Sequence, residues 1–157
     1  MLQKQTDILR TAITELGYSE TPNDSNLQKY GEWYGMNGVP WCAIFVSWVF
    51  DQSKTPLGKI DSDKGMHYCP SALNHFKKSK EITTAPQSGD LIFFDWDKDG
   101  KSDHVGIFVQ DRASSIGTFI SIEGNTSLGN NSNGGKVMLK VRNYSSAIFV
   151  HPKVLDD

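Results

Sequence analysis

The segment Val39-Pro40-Trp41-Cys42-Ala43-Ile44-Phe45-Val46-Ser47-Trp48-Val49-Phe50 constrains the fold more than any other part of the chain. It is apolar on nearly every side of a 3.6-residue repeat, so a helix over about residues 40–52 must be buried in the middle of a domain. Ile8, Leu9, Ala12, Ile13 and Leu16, with Gly17 just beyond, predict a second helix over 3–16 that packs one stripe on that centre. Residues 18–38, rich in Asn, Gly, Ser and Pro, read as loop with one helical turn near 26–30. A short helix follows Pro70, with Ser71 as its expected N-cap and Leu73 and Phe76 facing inward.

After Pro86 the pattern turns from helical to strand-like. Asp90-Leu91-Ile92-Phe93-Phe94 and residues 104–110, 117–123, 136–141 and 147–150 are short, β-branched or aromatic, and separated by turn residues. Helices first and an antiparallel sheet second describe an α+β fold, with the N-terminal helices on one face of a roughly five-stranded sheet. A chain of 157 residues buries about 70% of its unfolded surface, enough for a single domain over 1–157 without a metal or a disulfide. A net charge of -2 gives no general attraction to nucleic acid or anionic lipid. No stretch approaches the roughly 20 apolar residues of a membrane span, and Met1-Leu2-Gln3-Lys4-Gln5-Thr6-Asp7 is polar where a signal peptide is apolar. Neither nucleic-acid binding nor membrane insertion is expected, and any work outside the cell requires another route of export.

The two cysteines, Cys42 in the apolar helix and Cys69 in His67-Tyr68-Cys69-Pro70, do not resemble a secreted disulfide framework, so free thiols are expected. A zinc site built from Cys42, His67, Cys69 and His75 would need four ligands at irregular spacings and is disfavoured. Cys42 lies just inside the start of its helix, where unpaired N–H groups and the positive end of the macrodipole favour thiolate over thiol. The stretches around His104 and Glu123 are joined by residues 111–116, a length suited to a hairpin. In a symmetric hairpin Phe108 opposes Phe119 and His104 opposes Glu123, within hydrogen-bonding reach. A slip of one residue would separate that pair to opposite faces.

Glu123 would then fix the imidazole, leaving its other nitrogen to take a proton from a thiol. Asn125, on the same side if the chain stays extended, could supply an amide donor to the imidazole or to an oxyanion. A cysteine, a histidine and an orienting carboxylate or amide are the parts of a thiol hydrolase. The same residues are also compatible with a core cysteine and a surface ion pair.

Several motifs in order resemble the CHAP domain, a cysteine- and histidine-dependent amidohydrolase/peptidase of the papain-like, NlpC-type group. They are Gly17-Tyr18, Tyr30-Gly31-Glu32-Trp33-Tyr34-Gly35, the run from Val39 to Trp48, Ser88-Gly89-Asp90-Leu91-Ile92-Phe93-Phe94, Asp103-His104-Val105-Gly106-Ile107 and Ile122-Glu123-Gly124-Asn125-Thr126. The resemblance implies a papain-like fold, with Cys42 as nucleophile, His104 as base and acid, Glu123 as orienting acid and Asn125 as a further polar active-site residue. It implies peptidoglycan as substrate, cut either as an N-acetylmuramoyl-L-alanine amidase or as an endopeptidase. Asn125 and Tyr34 are candidates for an oxyanion donor. Tyr30, Trp33, Tyr34 and Trp41 are candidates to line the substrate groove, although aromatics also pack cores. Rival functions are a catalytically silent wall-binding module and a thiol amidase acting on a protein. A wall enzyme without a signal peptide implies delivery by a holin, a phage tail or a secretion apparatus, and a monomer is expected.

Asp95-Trp96-Asp97-Lys98-Asp99-Gly100-Lys101-Ser102-Asp103 places carboxylates at positions 1, 3, 5 and 9 of an EF-hand-like loop, Gly at 6 and the Lys101 carbonyl at 7. Hard oxygen ligands in a tight turn suit a structural Ca2+ next to His104. Gly106 stands at position 12, where the usual bidentate Glu is missing, and a solvated acidic turn has the same sequence. No organic cofactor is expected.

Overall fold

The computed structural model describes residues 2–113 and 116–156. Among the described residues four α-helices precede the main sheet: α1 (Gln3–Thr14), α2 (Lys29–Tyr34), α3 (Cys42–Gln52) and α4 (Cys69–Lys78). Helix α3 lies where its all-round apolarity requires, with Ile44, Phe45, Val46, Val49 and Phe50 fully buried. Each such side chain contributes roughly 1.5–3 kcal/mol through burial, which outweighs the modest helix propensity of its β-branched and aromatic residues. Helix α1 applies Ile8, Leu9 and Ala12 to the same core.

Two helix starts differ from the sequence expectation. The turn expected near 26–30 is the helix α2, starting at Lys29, because the Gln28 side chain accepts from the Gly31 N–H at 2.7 Å and so caps it there. Helix α4 begins at Cys69 with Tyr68 as its N-cap residue, so Ser71 is not the cap. Asp61 braces the turn before the helix, accepting from the backbone N–H groups of His67 at 2.9 Å and Tyr68 at 3.1 Å, and from the Ser71 hydroxyl. Leu73 and Phe76 face inward as expected.

The sheet contains β1 (Ile82–Thr83), β2 (Leu91–Phe94), β3 (His104–Asp111), β4 (Thr118–Thr126), β5 (Lys136–Asn143) and β6 (Ala147–Val150). Its order is β1-β6-β2-β3-β4-β5, and every neighbouring pair is antiparallel. The strand beyond the expected five is β1, a two-residue edge too short to carry a periodic signal. On one face Leu91, Phe93, Val105, Ile107, Ile122 and Val150 pack under the helices. On the other, Ile92, Phe94, Phe108, Phe119 and Phe149 form a second cluster with Trp96, Tyr144 and Ala147. The α+β fold with helices on one face is therefore as expected, and the outer face is closed by aromatic rings from the strands and loops.

The β3–β4 register departs from a symmetric hairpin. Ile107 faces Ile122 and Phe108 faces Ser121; beyond an irregularity at Val109, Gln110 faces Ile120 and Asp111 faces Phe119. Phe108 therefore does not oppose Phe119, nor does His104 oppose Glu123. The slip is of two residues at the His104 end, so it preserves the face: His104 and Glu123 meet as diagonal neighbours. Ser114 and Ser115 of the connecting loop lie outside the described residues.

Candidate active site

Cys42 is the first residue of α3 and His104 the first residue of β3, so the end of a buried helix and the end of a strand bring a thiol and an imidazole together. His104 is fully buried, and its Nε2 lies 2.9 Å from Glu123 Oε1. The Nδ1 atom is buried without a hydrogen-bond partner among the described residues, which leaves that nitrogen for Cys42. Gly106 makes the diagonal contact possible, since a Cβ there would come within 2.7 Å of Glu123 Cγ. Gly124 does the same on the opposite face, where a Cβ would meet Phe45 Cβ at 2.7 Å.

Glu123 is itself held from β5 and from its own strand. Arg142 donates from Nε to Oε2 at 2.9 Å and from a terminal guanidinium nitrogen to Oε1 at 2.5 Å, and the Ser121 hydroxyl donates to Oε2. Burial alone would raise the Glu123 pKa, but hydrogen bonds from Arg142 and His104 reverse that and bring it down to about 2. The guanidinium lies 4.9 Å from the Trp96 ring centroid, and the Trp96 ring stacks at 5.6 Å on the imidazole of His104. The ring is thus fixed in plane by the Glu123 carboxylate and across its plane by Trp96.

The sulfur of Cys42 lies 3.7 Å from that of Cys69, the first residue of α4. A hydrogen bond from Cys69 is the largest influence lowering the Cys42 pKa well below that of an ordinary thiol. Burial opposes it, while the His104 charge and the Val105 N–H assist. Cys69 is correspondingly raised, as the partner that keeps its proton. Burial would depress His104, but the Cys42 thiolate and then Glu123 raise it to about 9. Both directions favour a thiolate–imidazolium pair. Cys42 opens on a cleft of about 520 Å³ lined by Met36, Val39, Pro40, Tyr68, Asp103 and Asn133 as well as Cys69.

Asn125 is placed differently from the expectation. It has a left-handed backbone (φ 56°) where the β4–β5 pairing is irregular, so the chain is not extended there. Its amide Nδ2 donates to Asn133 Oδ1 at 3.0 Å and its Oδ1 accepts from the Gly135 N–H at 3.0 Å. The side chain ties the 127–135 loop to the sheet and sets Asn133 at the cleft. Tyr34 is also committed, donating to the Gly65 carbonyl at 2.9 Å and accepting from Ser62 at 2.8 Å.

Of the expected groove aromatics, Tyr30, Tyr34 and Trp41 are packing residues, and Trp33 is half-buried. Tyr30 and Trp41 are fully buried, with centroids 5.5 Å apart, and each is pinned by a carboxylate: Tyr30 by Glu15 at 2.7 Å, Trp41 by Glu20 at 3.0 Å. Trp33 packs edge-on against Tyr34 at 5.9 Å, and neither lines the cleft. Their dense spacing in the sequence reflects the docking of α2 and its flanking loops on α3.

The loop between β2 and β3 gathers the carboxylates of Asp95, Asp97, Asp99 and Asp103 so that one oxygen of each lies within 4.8 Å of the others. Asp103 Oδ2 accepts from the Trp96 N–H at 2.7 Å, and Asp95 Oδ2 from the Gly100 N–H at 3.0 Å. Asp95 Oδ1 is buried with no hydrogen-bond partner among the described residues. The N–H of Lys101 donates to Asp99 at 2.8 Å.

Sequence reasoning missed Cys69, Ser121, Trp96, Arg142 and Asn133. The parity of β5 holds a signal for Arg142: Met138, Lys140 and Arg142 share the face of Glu123, and an acid on that face needs a cation. Cys69 has no such signal, because α4 is brought beside α3 only by tertiary packing.

The family model for the CHAP domain matches residues 33–125, a span that includes Cys42, His104, Glu123 and Asn125. No curated protein matches the chain. Among solved structures, an N-acetylmuramoyl-L-alanine amidase from Staphylococcus aureus superposes with a TM-score of 0.51 at 13% identity, over 74% of this chain and 32% of its own. The wild-type endolysin LysIME-EF1 gives a TM-score of 0.51 at 15% identity, over 97% of this chain and 65% of its own. At these identities the likeness is one of fold, and this chain spans a third of the amidase and just under two thirds of the endolysin.

Proposed function

The chain belongs to the CHAP domain family, and on that premise we propose that it is a peptidoglycan hydrolase that cleaves an amide bond by thiol chemistry. One observation carries the proposal: a buried imidazole anchored at Nε2 by Glu123, with Nδ1 left for a thiol that lines an open cleft. The Cys42 thiolate attacks the amide carbonyl carbon. The N–H groups of the first turn of α3 point toward the developing oxyanion, with the helix dipole behind them. His104 gives its Nδ1 proton to the leaving amine, and the thioester is then hydrolysed by water that His104 deprotonates. Glu123, held by Arg142, keeps the imidazole in place and stabilises its charged form. Asn125 acts at one remove, holding Asn133 at the rim of the cleft.

The substrate follows from the family and from the named amidase of the same fold, whose name specifies the bond between a muramoyl group and L-alanine. The site would act at the bacterial wall after delivery by a holin, a tail or a secretion apparatus, or within a longer protein. No helix among the described residues is long and apolar enough to cross a membrane. The test is digestion of purified peptidoglycan, followed by mass spectrometry of the fragments. New amino termini on L-alanine identify an amidase, and new ends within the stem or cross-bridge identify an endopeptidase. Intact wall after treatment with reduced protein, and equally intact wall with Cys42→Ala, would refute the hydrolase.

The β2–β3 loop fits a calcium ion of structural role. Its four carboxylates span about the width of two Ca–O bonds of roughly 2.4 Å each, and the partnerless Asp95 Oδ1 is the kind of buried oxygen that a cation satisfies. Asp95, Asp97, Asp99 and Asp103, with the Lys101 carbonyl, would hold it. The ion would neutralise charge and stiffen the turn that ends at His104; no chemical step passes through it. Added Ca2+ is expected to raise the melting temperature and EDTA to lower it, and an unchanged melting temperature under both would dismiss the site.

A further inference from the structure

Two helices begin with a cysteine, α3 with Cys42 and α4 with Cys69, and their packing puts the sulfurs 3.7 Å apart. Both are free thiols, 7% and 6% exposed, and both line the same cleft, so a molecule the size of hydrogen peroxide can reach them. Hydrolysis by Cys42 and His104 does not require a second thiol. We propose that Cys69 is a resolving thiol, which on oxidation forms a disulfide with Cys42 and reversibly disables the nucleophile. The structural part of this inference is independent of substrate, while its consequence for activity rests on the hydrolase function proposed above.

Closing the pair to a bond of about 2.05 Å moves each sulfur by about 0.8 Å, within reach of small side-chain rotations. The oxidant is a peroxide. The Cys42 thiolate attacks one peroxide oxygen, the O–O bond breaks, and Cys42 becomes a sulfenic acid while hydroxide leaves. That hydroxide takes the Cys69 proton to give water. The Cys69 sulfur then displaces hydroxide from the sulfenic acid and forms the S–S bond. In total two sulfurs lose two electrons to one peroxide, with water and hydroxide as products. A dithiol reductant reverses the state by exchange. The asymmetry of the pair favours this order, because Cys42 is the sulfur held as thiolate and Cys69 the one that keeps its proton. The same arrangement protects Cys42, since a neighbouring thiol captures the sulfenic acid before a second peroxide can oxidise it irreversibly.

The test treats reduced protein with stoichiometric hydrogen peroxide, quenches with an alkylating agent under denaturing conditions, and maps the peptides by mass spectrometry. The expected result is a cross-linked peptide containing Cys42 and Cys69, no alkylation of either, and wall-lysing activity down by roughly two orders of magnitude, restored by dithiothreitol. In Cys69→Ser a second equivalent of peroxide should carry Cys42 from sulfenic to sulfinic acid, with a loss of activity that dithiothreitol does not reverse, whereas the wild-type disulfide should withstand that second equivalent. Alkylated Cys69 beside oxidised Cys42 in the wild-type protein would overturn the proposal, and needs no variant to fold. A cross-linked peptide from a protein that never lyses wall would sink the hydrolase function while leaving the disulfide standing.

Discussion

Glu123 anchors the His104 ring at Nε2, and Arg142 in turn anchors Glu123. Glu123 is buried with two cationic partners and two oxygens to share between them. In Glu123→Gln the imidazole keeps a hydrogen-bond acceptor but loses its counter-charge, and Arg142 is left without an anion. We expect kcat to fall about 10²-fold or more with little change in KM, because the lost interaction acts on the charged form of His104 during reaction. We also expect a stability loss of about 3 kcal/mol, typical of breaking one side of a buried pair. Steady-state kinetics and urea denaturation check the two parts separately. Equal kcat in variant and wild type would remove Glu123 from the reaction. Cys42, His104 and Glu123 were legible in the sequence because each lies at a landmark: a helix start, a strand start and a strand of clear alternation. Arg142 was not, since its partner is four residues away in register, across a pairing that only long side chains can span.

At the scale of elements, strand parity mattered more than register. A symmetric β3–β4 hairpin is wrong by two residues at His104, yet His104 and Glu123 still meet, because an even slip leaves both on one face. Gly106 is what makes the slipped geometry workable, lying where the Glu123 side chain crosses toward His104. Gly106→Ala should therefore push the carboxylate away from the imidazole. The expected outcome is a fall in kcat of roughly 10²-fold, the scale of a 1 Å misplacement, with a loss of about 1–3 kcal/mol from overpacking. Wild-type kcat in that variant would show that the close approach at Gly106 has no bearing on the site. The helix α3 was legible from apolarity alone, whereas the aromatics around it were misassigned to a groove. Tyr30 and Trp41 are as apolar in sequence as any cleft residue, and only the docking of α2 and of the segment before α3 onto the helix core shows that they are enclosed.

For the whole molecule, the site is a load on the fold that the sheet is built to carry. The helices close one face over Cys42, and the aromatic cluster closes the other over Phe94, Phe119 and Phe149, next to the charged chain from His104 through Glu123 to Arg142. Stability should accordingly depend on the charge state of Glu123. Burial would raise this carboxyl, but Arg142 and His104 hold it at about 2 rather than its ordinary 4.5. A pKa lower in the folded state means that the stabilisation is fully present above 4.5 and is lost as pH falls toward 2. Its size is on the order of 3 kcal/mol. Other carboxylates titrate in the same window, so the informative quantity is the difference between wild type and Glu123→Gln. Urea unfolding between pH 5 and pH 2 should show the wild type losing about 3 kcal/mol more than the variant, so that the two stability curves converge in acid. Parallel curves would mean that the anchored carboxylate contributes nothing to folding, and that its pairing with Arg142 and His104 serves the site alone.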